Sequence, residues 1–214
     1  GGEGVLLEGT TGSRIGGDEP GAGNLIVGSG EAGIRLEHHV DLGAGAITAC
    51  EDNDIIGNAL AVQTAAGAWV GNSGPGILAY SAGANRIARN LIGASGAAGV
   101  RIIGQANAGT TLTGNAIGTG FAGELEVGNS GPGVLLEQGA AGIRVGGEDP
   151  ADANWIAHNG AAGVLLLTNA ATGFAPAIDC PLLGNHVFAN EGLAVDLGDD
   201  GVTPNDGPSD ADEG

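Results

Sequence analysis

The string Val-Gly-Asn-Ser-Gly-Pro-Gly fills positions 70–76 and returns unchanged at 127–133. Each copy ends in a glycine that is followed by a branched aliphatic residue and then alternating apolar side chains. That junction recurs at Gly4-Val5, Gly33-Ile34, Gly76-Ile77, Gly99-Val100, Gly133-Val134, Gly163-Val164 and Gly192-Leu193. A template rewritten every 20 to 50 residues or so is the signature of a solenoid, whose repeats bury their apolar faces only by stacking.

Laying 4–33 over 133–163 extends the match. Val5-Leu6-Leu7-Glu8 falls on Val134-Leu135-Leu136-Glu137, Arg14-Ile15-Gly16-Gly17 on Arg144-Val145-Gly146-Gly147, and Pro20, Asn24 and Ile26 on Pro150, Asn154 and Ile156. Each unit holds short period-two runs separated by Gly and Asn, which are strands rather than helices. The expectation is an all-β solenoid of about seven coils with about three short strands each, stacked in parallel on their equivalents. Alternation turns Val5, Leu7, Ile34, Leu36, Val100, Ile102, Val134, Leu136, Val164 and Leu166 inward. Residues 1–198 form the coil domain in this reading, and 199–214 an acidic C-terminal segment.

The composition agrees. Glycine numbers 45 with no Gly-x-y register and only 8 prolines, which excludes collagen, and only 3% of residues are aromatic, so the core is aliphatic. The net charge is −19, with arginine as the sole strong base, which argues against a nucleic-acid partner. No apolar run is long enough to cross a bilayer, so no membrane insertion is expected. Acidic residues crowd the C-terminal end, where Asp199, Asp200, Asp206 and Asp210 are the candidates for a calcium site.

The spacing Asn-x-apolar-x-x-Asn appears at Asn53 and Asn58, Asn85 and Asn90, Asn154 and Asn159, and Asn185 and Asn190, with 110–115, ending in Asn115, and 24–29 as degraded copies. Asparagine suits tight turns and bonds its own kind one coil away, so these residues are expected to form Asn ladders, all flanking the third strand of their coils. The stretches 58–76 and 115–133 are equally long excursions that leave the coil on one side, carrying Trp69 and Phe121. Such insertions are where repeat scaffolds carry function.

The run GNAIGTGFAGELEVGNSGPGVLLEQGAAGIRVGG, residues 114–147, resembles the repeat of bacterial right-handed parallel β-helix proteins of the pectate-lyase-like superfamily, and 197–206 resembles the segment after the last coil in secreted members. The resemblance implies a right-handed parallel β-helix in an exported protein at the bacterial surface. It does not imply an activity, since fold and chemistry are separable.

The first strand's outer positions hold the candidate ligand surface. One outer file reads Leu6, Arg35, Leu78, Arg101, Leu135, Leu165, Ala194 and the next Glu8, Glu37, Tyr80, Ile103, Glu137, Leu167, Asp196. Arg35, Glu37, Tyr80 and Arg101 together offer a shallow face for a polysaccharide, joined by Trp69 and Phe121 on the excursions. A lyase with calcium and an arginine base needs several converging carboxylates, and the outer glutamates sit on separate coils. The favoured function is therefore a non-catalytic structural or adhesive module, binding glycan or a surface protein, or stacking head to tail on itself. The alternative is a polysaccharide lyase or epimerase on the first-sheet face. Cys50 and Cys180, placed after the second strands of coils four levels apart and so roughly 19 Å from each other, are too distant for a disulfide.

Overall fold

The computed structural model describes residues 2–167 and 175–202 and is all-β apart from one 3-10 turn at Pro150–Asp152. Its strands sort into three parallel sheets and two small antiparallel pairs. The first sheet has seven strands in strict chain order, Val5–Glu8, Ile34–Glu37, Ile77–Tyr80, Val100–Ile103, Val134–Glu137, Val164–Leu166 and Val195–Leu197. The second has six, Arg14–Gly16, Asp54–Ile56, Arg86–Ala88, Thr111–Thr113, Arg144–Gly146 and Leu182–Leu183. The third has four, Leu91–Ile92, Ala116–Ile117, Trp155–Ala157 and His186–Phe188, and single bridges from Leu25 to Ala59 and from Ala59 to Leu91 extend it. The three sheets are thus unequal, where equal numbers of strands per repeat were expected.

Along the chain, each first-sheet strand with a successor is followed by second-sheet residues, then third-sheet residues, before the first sheet is entered one strand further on. The register stacks Val5, Ile34, Ile77, Val100, Val134, Val164 and Val195 in one file, and Leu7, Leu36, Ala79, Ile102, Leu136, Leu166 and Leu197 in another. Ile34, Leu36, Ile77, Ile102 and Leu136 are wholly buried, and Ile55, Ile87 and Leu112 from the second sheet join Ile92, Ile117 and Ile156 from the third in the same core cluster. Each such side chain contributes about 2 kcal/mol by leaving water.

The glycine that opens the first-sheet strands has a steric cause. A Cβ on Gly99 would lie 2.7 Å from the Gly133 carbonyl oxygen and 2.9 Å from the Asn129 amide, and one on Gly133 would lie 2.6 Å from the Gly163 carbonyl and 2.9 Å from the Asn159 amide. The backbone of one level runs too close to the next for any side chain at this corner.

The seventh strand corrects the sequence reading. Val164 pairs with Val195, not Leu193, so Asp196 lies beside Leu165 in the first outer file and Ala194 takes the place of the strand-opening glycine. Gly192 instead matches the first glycine of Gly-Pro-Gly. Its amide bonds Ala161 O just as Gly131 bonds Ala97 O and Gly74 bonds Glu31 O. Among the described residues no eighth first-sheet strand lies beside Ala194 to meet its Cβ.

The asparagines form ladders, but not at one strand. Asn53 and Asn58 bracket a strand of the second sheet, as do Asn85 and Asn90, whereas Asn154 and Asn159 bracket one of the third, as do Asn185 and Asn190. One file therefore runs Asn24, Asn58, Asn90, Asn115, Asn154, Asn185. Each Nδ2 donates to the next Oδ1 at 2.8–3.1 Å. A second file, at the corner leading into the first sheet, joins Asn129, Asn159 and Asn190. A third pairs Asn53 with Asn85 at the corner leading into the second sheet. From Asn58 onward these amides also donate to a backbone carbonyl of the preceding level, as Asn90 does to Ile55 O at 2.8 Å. Buried backbone acceptors at the bends are satisfied in this way, which a buried loop otherwise cannot do.

Cys50 and Cys180 are both free. Each precedes a second-sheet strand, correcting the placement after one, and Cys50 donates its thiol hydrogen to Leu7 O at 3.4 Å. Burial pushes the Cys180 thiol above its ordinary range.

Candidate functional site

The outer face of the first sheet brings four of the sequence candidates, Arg35, Glu37, Tyr80 and Arg101, onto neighbouring strands. Arg35, Leu78 and Arg101 are register neighbours in one file, and Glu37, Tyr80 and Ile103 in the adjacent file. Two strand steps of about 4.8 Å separate the two guanidinium-bearing backbones. The same register supplies counter-charges. Arg35 is held by Glu3 at 3.0 Å and by Glu37 at 2.6 Å, and Arg101 by Glu137 at 2.5 Å.

These pairs decide what the arginines can do. Burial pulls the Arg35 pKa down, but hydrogen bonds to Glu3 and Glu37 outweigh it, leaving the group above its ordinary value and firmly charged. Proton abstraction requires a neutral guanidine, so this environment opposes a base role for Arg35. Tyr80 is 41% exposed and stacks on His38 with ring centroids 5.9 Å apart, an arrangement suited to laying an aromatic face against a sugar ring.

The two excursions carry their aromatics separately. The first folds as an antiparallel pair, Val62–Gln63 against Trp69–Val70, with Trp69 half-buried, and the second carries Phe121, which is 49% exposed. Neither ring stacks on another aromatic among the described residues. The excursions return at Asn72 and Asn129, on either side of Ser95, so one level separates them. A third excursion, not expected as such, is the hairpin His39–Asp41 with Ala46–Thr48, held at its base by His39 Nδ1 and Glu8 at 2.5 Å.

An aromatic cluster escaped the sequence reading. Trp155 stacks on His186 at 4.1 Å, and Phe188 meets Trp155 and His158 edge-on at 6.2 and 6.1 Å. Gly123 of the second excursion closes over Trp155 and Phe188, with no room for a Cβ beside the Phe188 ring. The signal lay in the spacing of Asn154-Trp155 and Asn185-His186, which puts both rings at one register position.

Of the calcium candidates, Asp199 and Asp200 are exposed, while Asp206 and Asp210 lie outside the described residues. Among the described residues no group of three or more His, Cys, Asp or Glu side chains is placed to hold a metal. No helix of the described residues is long and apolar enough to cross a membrane. The chain matches no protein family, no curated protein and no solved structure with which it was compared.

Proposed function

We propose that the three sheets are the walls of a right-handed parallel β-helix of about seven coils, and that it serves as a non-catalytic structural or adhesive module of an exported bacterial surface protein. The observation that carries this reading is the unbroken Asn file from Asn24 to Asn185, which ties six successive levels by side-chain hydrogen bonds and favours rigidity over motion. The first-sheet face around Tyr80 is its glycan contact, with the guanidinium of Arg35 fixed as a hydrogen-bond donor by its carboxylates. The amide file has a direction, since every Asn-to-Asn bond in it runs from the Nδ2 of the earlier residue to the Oδ1 of the later. A second copy meeting it head to tail would extend both the file and the sheets.

The competing reading is a polysaccharide lyase or epimerase on the same face. Incubation of the protein with uronate polymers, with and without calcium, separates the two. The module reading expects binding of saccharide to the Tyr80 face, weakened by Tyr80→Ala, and no unsaturated product. Release of unsaturated oligosaccharides, abolished by Arg101→Gln, would replace it with the lyase.

A further inference from the structure

Three of the six arginines of this acidic chain lie on strands of the second sheet, and a fourth, Arg89, lies in the turn after one of them. The register there aligns Arg14, Asp54, Arg86, Thr111 and Arg144 in a single file, so arginine occupies every second strand. Arg89 follows from the turn after Arg86 and ion-pairs with Asp18. Asp54 takes Arg14 at 2.6 Å and reaches Arg86 only at 3.7 Å, and among the described residues Arg144 has no carboxylate partner. The side chains of Arg14, Arg86 and Arg89 are 58%, 41% and 47% exposed. The arginines of the first sheet are less exposed, Arg35 at 30% and Arg101 at 36%.

We infer that this file is a second binding surface, for a linear acidic polysaccharide that carries a carboxylate on every other sugar. The arginines recur along the stacking direction at two strand steps, or about 10 Å. Nucleic acid carries a charge on every nucleotide, about 3.4 Å apart along each strand of a duplex, so most of its charges would fall between the arginines and face a molecule of the same sign. A polymer with sparser charge meets a guanidinium at each anionic group and neutral sugar between them. Guanidinium groups suit the task because they bind carboxylates through paired, charge-assisted hydrogen bonds. Thr111, between Arg86 and Arg144, adds a hydroxyl where a neutral sugar would lie. The surface is separate from the Tyr80 face and stands whether or not that face binds glycan.

The test is calorimetric titration of the 214-residue chain with hyaluronan oligosaccharides, with dextran as the neutral polymer and single-stranded oligo-dT as the dense polyanion. Hyaluronan is expected to bind, more weakly as salt rises, and dextran not to bind this surface. The Arg86→Gln/Arg144→Gln double variant is expected to lose at least about tenfold in hyaluronan affinity with unchanged melting, the scale of one or more charge-assisted hydrogen bonds. In a Tyr80→Ala background, which removes any contribution of the first-sheet face, Arg86→Gln/Arg144→Gln should lower hyaluronan affinity by the same factor. The inference is overturned if hyaluronan does not bind, if the double variant binds it as well as the parent, or if oligo-dT binds more tightly.

Discussion

At the scale of single residues, the asparagines do what no apolar residue at the bends can do. Asn90 is wholly buried, accepts from Asn58, and donates both to Asn115 and to Ile55 O. Its removal leaves several buried partners unsatisfied, and each such group costs on the order of 1–3 kcal/mol. Asn90→Ala is therefore expected to destabilise the fold by about 3 kcal/mol in urea unfolding. The file at the corner into the first sheet contains a natural defect that makes the converse prediction. Ser95 lies between Asn72 and Asn129, and its buried hydroxyl has no hydrogen-bond partner. Gly76 opposite keeps the space in which other levels hold an amide. Ser95→Asn should complete the file and stabilise by about 1 kcal/mol. A loss of stability would mean that the amide does not fit there.

At the scale of elements, the hairpin at 39–48 stands largely exposed. Val40, Leu42 and Ile47 are 43%, 91% and 71% exposed, and the contact to Glu8 ties its first strand to the sheet. The hydrogen bond to Glu8 raises the His39 pKa above its ordinary 6.5, outweighing the desolvation that lowers it. A raised folded-state pKa stabilises fully below 6.5 and is lost as pH rises through the higher folded value. Amide exchange in the hairpin should accordingly quicken as pH climbs above 6.5, beyond the intrinsic base-catalysed rise, and Glu8→Gln should remove the excess.

Elements also mark where sequence reading stopped. Strands and inner files were legible because alternation has one period and the repeat supplies it many times. The assignment of Asn53 and Asn154 to one kind of strand failed because corner-to-corner distance is the same on the second and third sheets, so an identical spacing fits both. The hairpin at 39–48 was hidden because its alternation mimics a strand of the repeat. At Gly192 the two glycines of Gly-Pro-Gly are two residues apart, and the last repeat keeps only the first of them. The ion pairs that neutralise Arg35 and Arg101 depend on which levels coincide, and the Trp155 cluster depends on the excursion that covers it.

At the scale of the whole molecule, three parallel sheets meet at corners lined by asparagine amides and close-packed glycines, and the outer faces differ in character. One carries paired charges and a tyrosine, one a file of arginines, one a cluster of rings. All of this rests on residues one repeat apart being direct neighbours in parallel register. Disulfide trapping tests it most directly, in a Cys50→Ala/Cys180→Ala background with cysteines introduced at the exposed-face partners Thr111 and Arg144. Neighbouring parallel strands lie about 4.8 Å apart, within disulfide range. Rapid oxidation of the 111/144 pair, with slow or no oxidation of an offset 113/144 pair, is the predicted result. Failure of 111/144 to form, or faster closure of 113/144, would contradict the stacked register.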